Sequence, residues 1–487
     1  MIRLLIQIFL LTTITYSCTC STPKNEVSEK KETEVARIIK SGTLKVVLDY
    51  NSTNYFIYRG KPMGFEYEIL KHLADDMRVK LEITVRDNDE TLFQDLHDKK
   101  YDLIAKSLTV SKNKNELIEY TYPIIQSSQV LVQRKPEKWR AMTLYDIEKA
   151  LIRNQLDLED KKIYVPENSP QKTRLENLSD EIGADIEIVS DNFDTEYLIE
   201  MVAKGEIDYT VCYDNIASAS KRYYSDIDVE TPVSFPQNQA WAIREGSPEL
   251  LDYLNNWIIN FKKTSTFAIL YDKYFTSAKT STRFKSDYHS FSGGKLSPFD
   301  DLIKKQADEA DIDWLLISAI ICQESNYDPD AESWMGAKGL MQIMPESAET
   351  FNVENYLEPS NNIKAGIKLL KWLNERFMDE IPDSTERLKF VLASYNSGIG
   401  HVRDAQQLAT KYEKSPVLWE HNVDYFLLNK SSSKYYRDPV VKHGYCRGEE
   451  TFNYVNNVLD MYHHYQNVMN SQARNNYYRF EKGLKQG

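Results

Sequence analysis

The chain has 487 residues, of which 73 are acidic and 60 basic, and a formal net charge of −13. This acidic balance is atypical of proteins that bind nucleic acids, so we expect no nucleic-acid partner. Charged residues make up 27% of the chain and aromatic residues 12%, which excludes global disorder and leaves room for two or three folded domains.

The first residues have the pattern of a secretory signal peptide, with a basic start, an apolar stretch from Leu4 to Ile14, and small residues before Cys18. The pattern resembles a bacterial lipoprotein signal, which implies that Cys18 carries a lipid. Residues 1–18 are then the signal peptide and residues 19–37 a polar tether to a membrane. Plain secretion with an incidental cysteine is the alternative. Thr19 is not the aspartate associated with inner-membrane retention, which favours an outer-membrane lipoprotein facing the periplasm.

Residues 38–277 alternate between strand-like and helix-like segments. Short apolar runs predict strands at 44–48, 81–85, 101–105, 162–165, 186–189 and 207–212. Apolar residues at helical spacing predict helices at 65–77, 92–97, 171–182 and 195–204. Two successive α/β units of this kind predict two lobes, each with a parallel sheet, and a ligand cleft between the lobes.

Several short motifs in this region resemble, in order, those of family 3 solute-binding proteins, the periplasmic amino-acid-binding type. They are SGTLKV at 41–46, GFEYE at 64–68, YDLI at 101–104, LTVS at 108–111, YTYP at 120–123 and GEID at 205–208. The resemblance implies a cleft for an amino acid, a peptide or a muropeptide, with candidate contacts from Phe65, Lys114, Ser169 and Asp214. Lys114 stands where the family has an arginine that grips the ligand carboxylate with a planar fork, which lysine lacks. A solvated surface charge is the alternative role for Lys114.

The chain changes character after this region. Residues 278–294 are rich in serine, threonine, lysine and glycine, which predicts a linker. Residues 295–475 have mainly helical periodicity, and residues 476–487 form a C-terminal tail. We therefore expect a second, mainly α-helical domain behind the two-lobed α/β domain.

One carboxylate in the helical region lies on an apolar face. The stretch 314–322 is almost continuously apolar and predicts a buried helix. Glu324 follows three, four and seven residues after Ile321, Ile320 and Ile317, so it shares their face. Burial raises the pKa of a carboxyl group, as a general acid requires at neutral pH. A glutamate paired with a base at a helix end has the same pattern and is the alternative.

Four blocks surround this position: QESNY at 323–327, GAKGLMQIMP at 336–345, ASYNSG at 393–398 and ETFNYV at 450–455. In order and spacing they resemble the soluble lytic transglycosylase catalytic domain, a lysozyme-like helical fold of the goose type. The resemblance implies Glu324 as the single acid/base, with contacts to the substrate from Ser325, Gln342, Tyr395, Asn396, Glu450 and Tyr454. For Glu450, a salt bridge or cap within its own helix is an equal alternative. A periplasmic-binding-protein-like domain joined to this domain resembles the membrane-bound lytic transglycosylases.

Cleavage of a glycosidic bond usually takes two carboxylates, whereas these blocks contain one in a catalytic setting. A lone acid suffices when the substrate supplies the nucleophile. In peptidoglycan glycan strands, the C6 hydroxyl of MurNAc can attack its own C1 at the MurNAc-GlcNAc β-1,4 bond. Glu324 would protonate the leaving oxygen and then take the proton of that hydroxyl. The expected product is a 1,6-anhydromuramoyl end, formed without water.

Two other functions remain open from the sequence. A goose-type lysozyme would hydrolyse the same bond, with Asp328, Asp330 or Glu332 positioning water. A solute or muropeptide receptor would use the helical domain only to dock on glycan.

We expect no cofactor and no metal, because His443 and Cys446 have no partner at a metal-ligand spacing. His463 and His464 lie on a predicted helix of mixed faces, so we expect them at the surface. Closure of the two lobes on a ligand would bias the catalytic domain, a hypothesis based on the two-lobe pattern and the covalent link.

Overall fold

The computed structural model of the chain describes residues 33–86, 91–110 and 116–483, with side chains as far as residue 473. Cys18 and Lys114, the predicted lipidation site and a predicted cleft residue, lie outside these described residues.

The first lobe begins the described part of the chain and alternates strands with helices. Its helices are α1 (Glu34–Ser41), α2 (Phe65–Met77) and α3 (Leu92–His97). Its strands are β1 (Thr43–Leu48), β2 (Phe56–Tyr58), β3 (Lys61–Met63), β4 (Lys80–Val85), β5 (Leu103–Thr109), β6 (Ile118–Tyr120) and β7 (Ile125–Ser127). Helices α2 and α3 have the bounds that the spacing of their apolar residues predicts.

The second lobe follows directly. Its strands are β8 (Gln129–Arg134), β9 (Lys162–Pro166), β10 (Glu187–Asp191), β11 (Tyr209–Tyr213) and β12 (Ile227–Pro232). Its helices are α4 (Leu144–Ala150), α5 (Pro170–Ile182), α6 (Thr195–Lys204) and α7 (Asp214–Lys221), with short 3-10 turns at Trp139–Ala141 and Gln155–Leu158. The chain then returns to the first lobe through β13 (Gln237–Arg244), α8 (Pro248–Phe261), α9 (Ser265–Tyr271) and a π-helical turn at Asp272–Thr276.

Both sheets are mixed, which corrects the expectation of purely parallel sheets. The first has the order β4-β1-β5-β13-β6, with β7 also on β13, and the second has the order β10-β9-β11-β8-β12. Strands β4, β1 and β5 are parallel, as are β10, β9 and β11. Strands β8 and β13 run antiparallel to their neighbours. The reason is topological, since these two strands carry the chain across from one lobe to the other.

The remaining helices form the C-terminal domain. The predicted linker contains a short helix, α10 (Lys279–Phe284). The domain itself consists of α11 (Asp300–Ala310), α12 (Trp314–Ser325), α13 (Pro345–Thr350), α14 (Pro359–Met378), α15 (Ser384–Ser397), α16 (Ile399–Lys411), α17 (Asp424–Leu428), α18 (Ser433–Tyr436) and α19 (Gly448–Gly483), with an irregular turn at Trp419–Val423 and a 3-10 turn at Asn429–Ser431. Helix α19 packs on α12, α15 and α17 and also contacts β2, β3 and β4.

The buried apolar side chains form several clusters, which differ between the two lobes and the helical domain. One continuous cluster of buried side chains runs from the first lobe, including Val46 and Phe65, into the helical domain, including Ile320 and Val458. The second lobe has two clusters of its own, one on each face of its sheet. The first lobe and the helical domain therefore pack as one unit, and the second lobe is a separate body.

Candidate active site

The catalytic candidate lies at the end of α12. Asp313 caps the N-terminus of this helix, its carboxylate accepting from the backbone N–H of Leu315 at 2.9 Å. Asn326 ends it in the left-handed conformation, with φ 51°. The apolar run between them is buried, as predicted, and anchors the helix in the core. Glu324 thus stands on the last turn, half-buried at the border of the core.

A tyrosine contacts this carboxylate. The hydroxyl of Tyr454, on α19, donates to Oε1 of Glu324 over 2.7 Å. Burial raises the pKa of Glu324 to about 7, and the hydrogen bond from Tyr454 partly opposes the shift. The negative charge of Glu324 in turn helps to raise the pKa of Tyr395 and of Tyr454. The three side chains therefore form one electrostatically coupled group.

The loop after α12 is fixed by the other predicted site residues. The hydroxyl of Ser325 donates to the carbonyl of Leu340 at 2.9 Å, and that of Tyr395 donates to the carbonyl of Met341 at 2.7 Å. The amide of Gln342 donates to the carbonyls of Ala331 and Gly339, both at 3.0 Å. These contacts orient the loop around the carboxylate, so Ser325, Gln342 and Tyr395 lie together with Glu324.

Asn396 and Glu450 lie at the edge of this group. The hydroxyl of Thr451 donates to Oδ1 of Asn396 at 2.8 Å, which joins α15 to α19. Glu450 is exposed and forms an ion pair with Arg447, three residues earlier, at 3.3 Å. A salt bridge with a residue close in sequence is one of the two roles that the sequence predicts equally for Glu450.

The candidates for a second catalytic carboxylate are all exposed, and one of them is paired with a base. Asp328 and Asp330 are exposed, and Asp328 accepts from the backbone N–H of Asp330 at 3.0 Å. Glu332 pairs with Lys338 at 3.1 Å. The pKa of Glu324 is shifted by burial and by Tyr454, with no contribution from a second acid.

The predicted cleft residues of the α/β domain lie in different environments, two at strand ends and one in the core. Ser169 caps α5 and Asp214 begins α7, so both lie at the carboxyl ends of the adjacent strands β9 and β11. Asp214 accepts from the hydroxyl of Ser127 at 2.5 Å. Phe65 is fully buried and packs against Phe275 with ring centroids 4.9 Å apart. This removes Phe65 from the cleft candidates, because the start of α2 faces the core.

The two lobes contact each other directly. The backbone N–H of Ser52, in the first lobe, donates to both oxygens of Glu196, in the second, at 3.2 and 3.1 Å. The hydroxyls of Thr109 and Tyr213 also bond across the lobes. These contacts hold the lobes together at the carboxyl ends of their parallel strands, where the sequence predicts the cleft.

The predicted linker touches both lobes. Phe284 stacks on Tyr223 of the second lobe, with ring centroids 3.7 Å apart and an interplanar angle of 7°. His289 stacks on Phe56 of the first lobe at 4.3 Å. The backbone N–H of Arg59, directly after β2, donates to the carbonyl of Tyr288 at 2.9 Å, so the linker is bonded to the end of this strand. The segment is therefore a packed bridge between bodies.

Sequence reasoning missed a junction between the first lobe and the catalytic helix. The carbonyl of Gly60, in the β2–β3 turn, accepts from the hydroxyl of Tyr465 at 2.7 Å. The same carbonyl lies 3.6 Å from Sγ of Cys322, two residues before Glu324. Tyr327 contacts the hydroxyl of Tyr465 at 3.0 Å. No local sequence pattern predicts a contact between segments so far apart in the chain. A glycine at a hairpin turn is only a weak indication of one.

His464 also corrects an expectation. It lies at the junction of α19 with the first lobe, where its Nδ1 meets the hydroxyl of Tyr55 at 2.6 Å. Burial lowers its pKa to about 3, so it is neutral there. His463 is exposed, as expected. The pattern of α19 alone does not predict this contact, because the partner surface comes from the distant first lobe.

Over the described residues, none of the helices is long and apolar enough to cross a membrane. Within the same residues, no cluster of three or more metal-binding side chains is found.

Comparison with known proteins agrees with this two-part architecture. Residues 43–277 match the model of bacterial extracellular solute-binding proteins, family 3, and residues 301–418 match the transglycosylase SLT domain. A crystal structure of an ancestral amino acid-binding protein, a precursor of cyclohexadienyl dehydratase, covers 50% of this chain and 100% of its own, with 22% identity and a TM-score of 0.41.

Two curated relatives match nearly the whole chain. The membrane-bound lytic murein transglycosylase F of Desulfosudis oleivorans is 35% identical over 428 residues, which is 88% of this chain and 90% of the relative. That of Aeromonas hydrophila is 30% identical over 471 residues, which is 94% of this chain and 88% of the relative. Both similarities extend across the solute-binding and the SLT regions, so the chain belongs to the membrane-bound lytic murein transglycosylase F family.

Proposed function

We propose that the chain is a peptidoglycan lytic transglycosylase that cleaves the MurNAc-GlcNAc β-1,4 bond without water, with Glu324 as its single acid/base. The observation that carries the proposal is the half-buried carboxyl of Glu324, whose pKa of about 7 lies near neutrality and whose Oε1 accepts a hydrogen bond from Tyr454. A group with this pKa is available both as an acid and, after proton transfer, as a base.

The proposed reaction uses the two protonation states in turn. Protonated Glu324 gives its proton to the glycosidic oxygen as the bond between C1 of MurNAc and that oxygen breaks. Tyr454 donates to the carboxylate that forms and so stabilises it. The C6 hydroxyl of MurNAc then bonds to C1 and gives its proton to Glu324. The carboxyl is restored, and the muramoyl end is a 1,6-anhydro ring.

In the described part of the chain, Glu324 is the carboxylate of the group that it forms with Tyr395 and Tyr454, and this supports the proposed route over hydrolysis. An inverting or retaining glycosidase needs a second carboxylate beside the bond. Asp328 and Asp330 are exposed, and Glu332 pairs with Lys338, so none of the three shares the half-buried setting of Glu324.

We infer substrate contacts from the residues grouped around the carboxylate. Ser325 and Gln342 fix the loop that would face the N-acetyl groups near the cleaved bond, and Tyr395 holds the carbonyl of Met341 beside it. Asn396 ties α15 to α19, and Glu450 extends the wall formed by Tyr454. The proposed roles of Asn396 and Glu450 rest on their position at this edge.

The name of the family, membrane-bound lytic murein transglycosylase F, indicates association with the cell envelope. We propose that a lipid on Cys18 anchors the chain in the outer membrane and that residues 19–37 tether it on the periplasmic side. The motif around Cys18 supports this placement.

The α/β domain is proposed to bind an amino acid, a peptide or a muropeptide and to regulate the catalytic domain. Ser169 and Asp214 follow the carboxyl ends of the adjacent strands β9 and β11, a common place for ligands in α/β sheets. The first lobe shares its core with the catalytic domain, whereas the second lobe packs separately. Ligand-driven movement of the second lobe would therefore reach the catalytic unit through the stacked pair of Phe284 and Tyr223.

The deciding experiment is mass spectrometry of the products from purified peptidoglycan, with the parent chain beside Glu324→Gln. Products about 18 Da lighter than reducing muropeptides, absent with the variant, are expected because no water is added across the bond. Reducing ends would indicate a lysozyme. Equal activity of parent and variant, or no cleavage by either, would contradict the proposed role and favour the receptor function.

A further inference from the structure

An exposed aromatic side chain stands in the loop after the catalytic helix. Trp334 is 82% exposed and its neighbour Met335 is 59% exposed. The guanidinium carbon of Arg447 lies 5.7 Å from the centroid of the Trp334 ring. Tyr445, two residues before Arg447, is 56% exposed. We call Trp334, Tyr445 and Arg447 the aromatic edge, and exposed apolar side chains beside charged groups mark binding surfaces.

The backbone that carries Trp334 is held in a closed turn. The N–H of Ser333 donates to the carbonyl of Ala337 at 2.9 Å, and the N–H of Gly336 donates to the carbonyl of Ser333 at 2.9 Å. The N–H of Ala337 also donates to the hydroxyl of Ser333 at 3.0 Å. An aromatic side chain on a fixed turn loses little conformational freedom on binding, so it is suited to contact a ligand.

The aromatic edge adjoins the catalytic group from two sides. Arg447 pairs with Glu450, which precedes Tyr454 by about one helical turn of 5.4 Å. On the other side, the carbonyl of Ala331, three residues before Trp334, accepts from Gln342 at 3.0 Å. Trp334 is thus linked to Glu324 through Arg447, Glu450 and the turn of α19 that carries Tyr454.

We propose that Trp334 is an outer subsite for the glycan strand and stacks on the apolar face of an N-acetylhexosamine beyond the cleaved pair. This inference rests on the proposed function, since it extends the same site. The C–H face of a pyranose is apolar and weakly positive, which complements the negative face of an indole ring. Arg447 holds the other face or edge of the ring by a cation–π contact, and Glu450 anchors Arg447.

A lipid surface is the competing occupant, and the charges disfavour it. The pairs Arg447–Glu450 and Lys338–Glu332 flank Trp334 and would lose water on insertion into a bilayer, whereas a hydrated sugar leaves them solvated. The net charge of −13 also opposes approach to an anionic membrane. The glycan strand is thus the occupant that fits both the aromatic ring and its charged surroundings.

The test is titration of the full chain carrying Glu324→Gln with chitohexaose, a β-1,4-linked N-acetylglucosamine hexamer, by calorimetry. Adding Trp334→Ala should weaken binding about tenfold, as for an exposed aromatic anchor. Trp334→Tyr should retain most of the affinity because an aromatic face remains. Met335→Ala is the control, because Met335 is the exposed neighbour of Trp334 and has no ring, and it should change affinity by less than about twofold.

A second measurement separates this inference from the proposed function. In the active parent, Trp334→Ala should raise KM for peptidoglycan about tenfold and leave kcat nearly unchanged. Equal chitohexaose affinity with and without Trp334→Ala would overturn the subsite, even if anhydro products form normally. Loss of binding to phosphatidylethanolamine–phosphatidylglycerol vesicles instead of chitohexaose would overturn it in favour of a membrane contact. Failure of the proposed function would appear separately, as a parent chain that releases no anhydro products.

Discussion

The hydroxyl of Tyr454 lies 2.7 Å from Oε1 of Glu324, and it is the hydrogen bond that opposes the effect of burial on this carboxyl group. Burial favours the protonated form of Glu324, and the hydrogen bond from Tyr454 favours the carboxylate. Tyr454, on the long C-terminal helix α19, therefore sets the balance between the acid and base forms of a residue on α12.

Replacement Tyr454→Phe should shift that balance. Without the donated hydrogen bond, the pKa of Glu324 rises above about 7, so the fall of kcat/KM at high pH moves to a higher pH. The carboxylate formed during proton transfer is also less stable, and we expect kcat to fall about 100-fold, as when an oxyanion donor is removed. The pH–rate profile of the variant measures both effects. An alkaline limb at the parent's position would show that Tyr454 does not tune Glu324.

Stability should depend on pH through the same residue. The pKa of Glu324 is raised from 4.5 to about 7 in the folded chain, so the folded state binds the proton more tightly. Stability is therefore unaffected below about pH 4.5 and falls as the pH rises towards 7. Glu324→Gln removes this loss and should raise the free energy of unfolding at pH 8 by on the order of 2 kcal/mol, with no gain near pH 4. Chemical denaturation at both pH values tests the difference.

Glu66 offers a matched control for that measurement. It is fully buried, its pKa is raised to about 7, and it accepts from Nε1 of Trp241 at 2.7 Å, in the first lobe. Glu66→Gln should give a similar gain in stability at pH 8 and leave lytic activity intact. A loss of activity in Glu66→Gln would mean that the two carboxyls are not independent.

The turn at Gly60 should be sensitive to a single methyl group. Gly60 has φ 74°, and an added Cβ would lie 2.4 Å from Cε2 of Tyr327, behind the catalytic helix. Gly60→Ala should destabilise the chain by about 1 kcal/mol from the backbone and by a further 1–3 kcal/mol from the clash. We expect the lytic rate to fall on the order of tenfold, because the helix that carries Glu324 is displaced.

Gly183 is the control for Gly60, since it has a similar φ of 66° with nothing within 4 Å of an added Cβ. Gly183→Ala should show only the backbone effect in thermal unfolding and should keep the parent's lytic rate. Equal behaviour of the two variants would argue against mechanical contact between the first lobe and α12.

The stack between Phe284 and Tyr223 should restrain the second lobe. Phe284→Ala removes an aromatic pair worth about 0.5–1.5 kcal/mol, so the second lobe should sample more open arrangements. Small-angle X-ray scattering should report a larger radius of gyration. Phe291→Ala is the control, because Phe291 contacts Tyr50 of the first lobe at 5.5 Å and should leave the scattering unchanged. An unchanged profile for both variants would exclude the bridge as a restraint.

Local patterns predicted much of this structure because the relevant forces are local. The helix Phe65–Met77 and the position of Glu324 follow from apolar residues at helical spacing, and both were predicted correctly. The same spacing does not tell which apolar residue meets a ligand, and Phe65, which the family resemblance implies as a cleft contact, fills the core.

Long-range relationships escaped prediction. Tyr55 and His464 are 409 residues apart in the chain, and no periodicity in either segment links them. The antiparallel strands β8 and β13 were also missed, because their direction depends on how often the chain passes between the lobes. The direction of a strand in its sheet is therefore set by the path of the whole chain and not by the residues of the strand.

The continuous core of the first lobe and the helical domain has a consequence for how such proteins diversify. A new helical domain grafted behind this first lobe would have to reproduce the surface that receives Gly60 and presents Tyr465 and His464. The second lobe, residues 129–232, carries its own clusters and enters the sequence as one insertion between β7 and β13. Exchange of that insertion alone would replace Ser169 and Asp214 and leave the lytic machinery intact. Ligand preference and wall cleavage can thus evolve at different rates within a single chain.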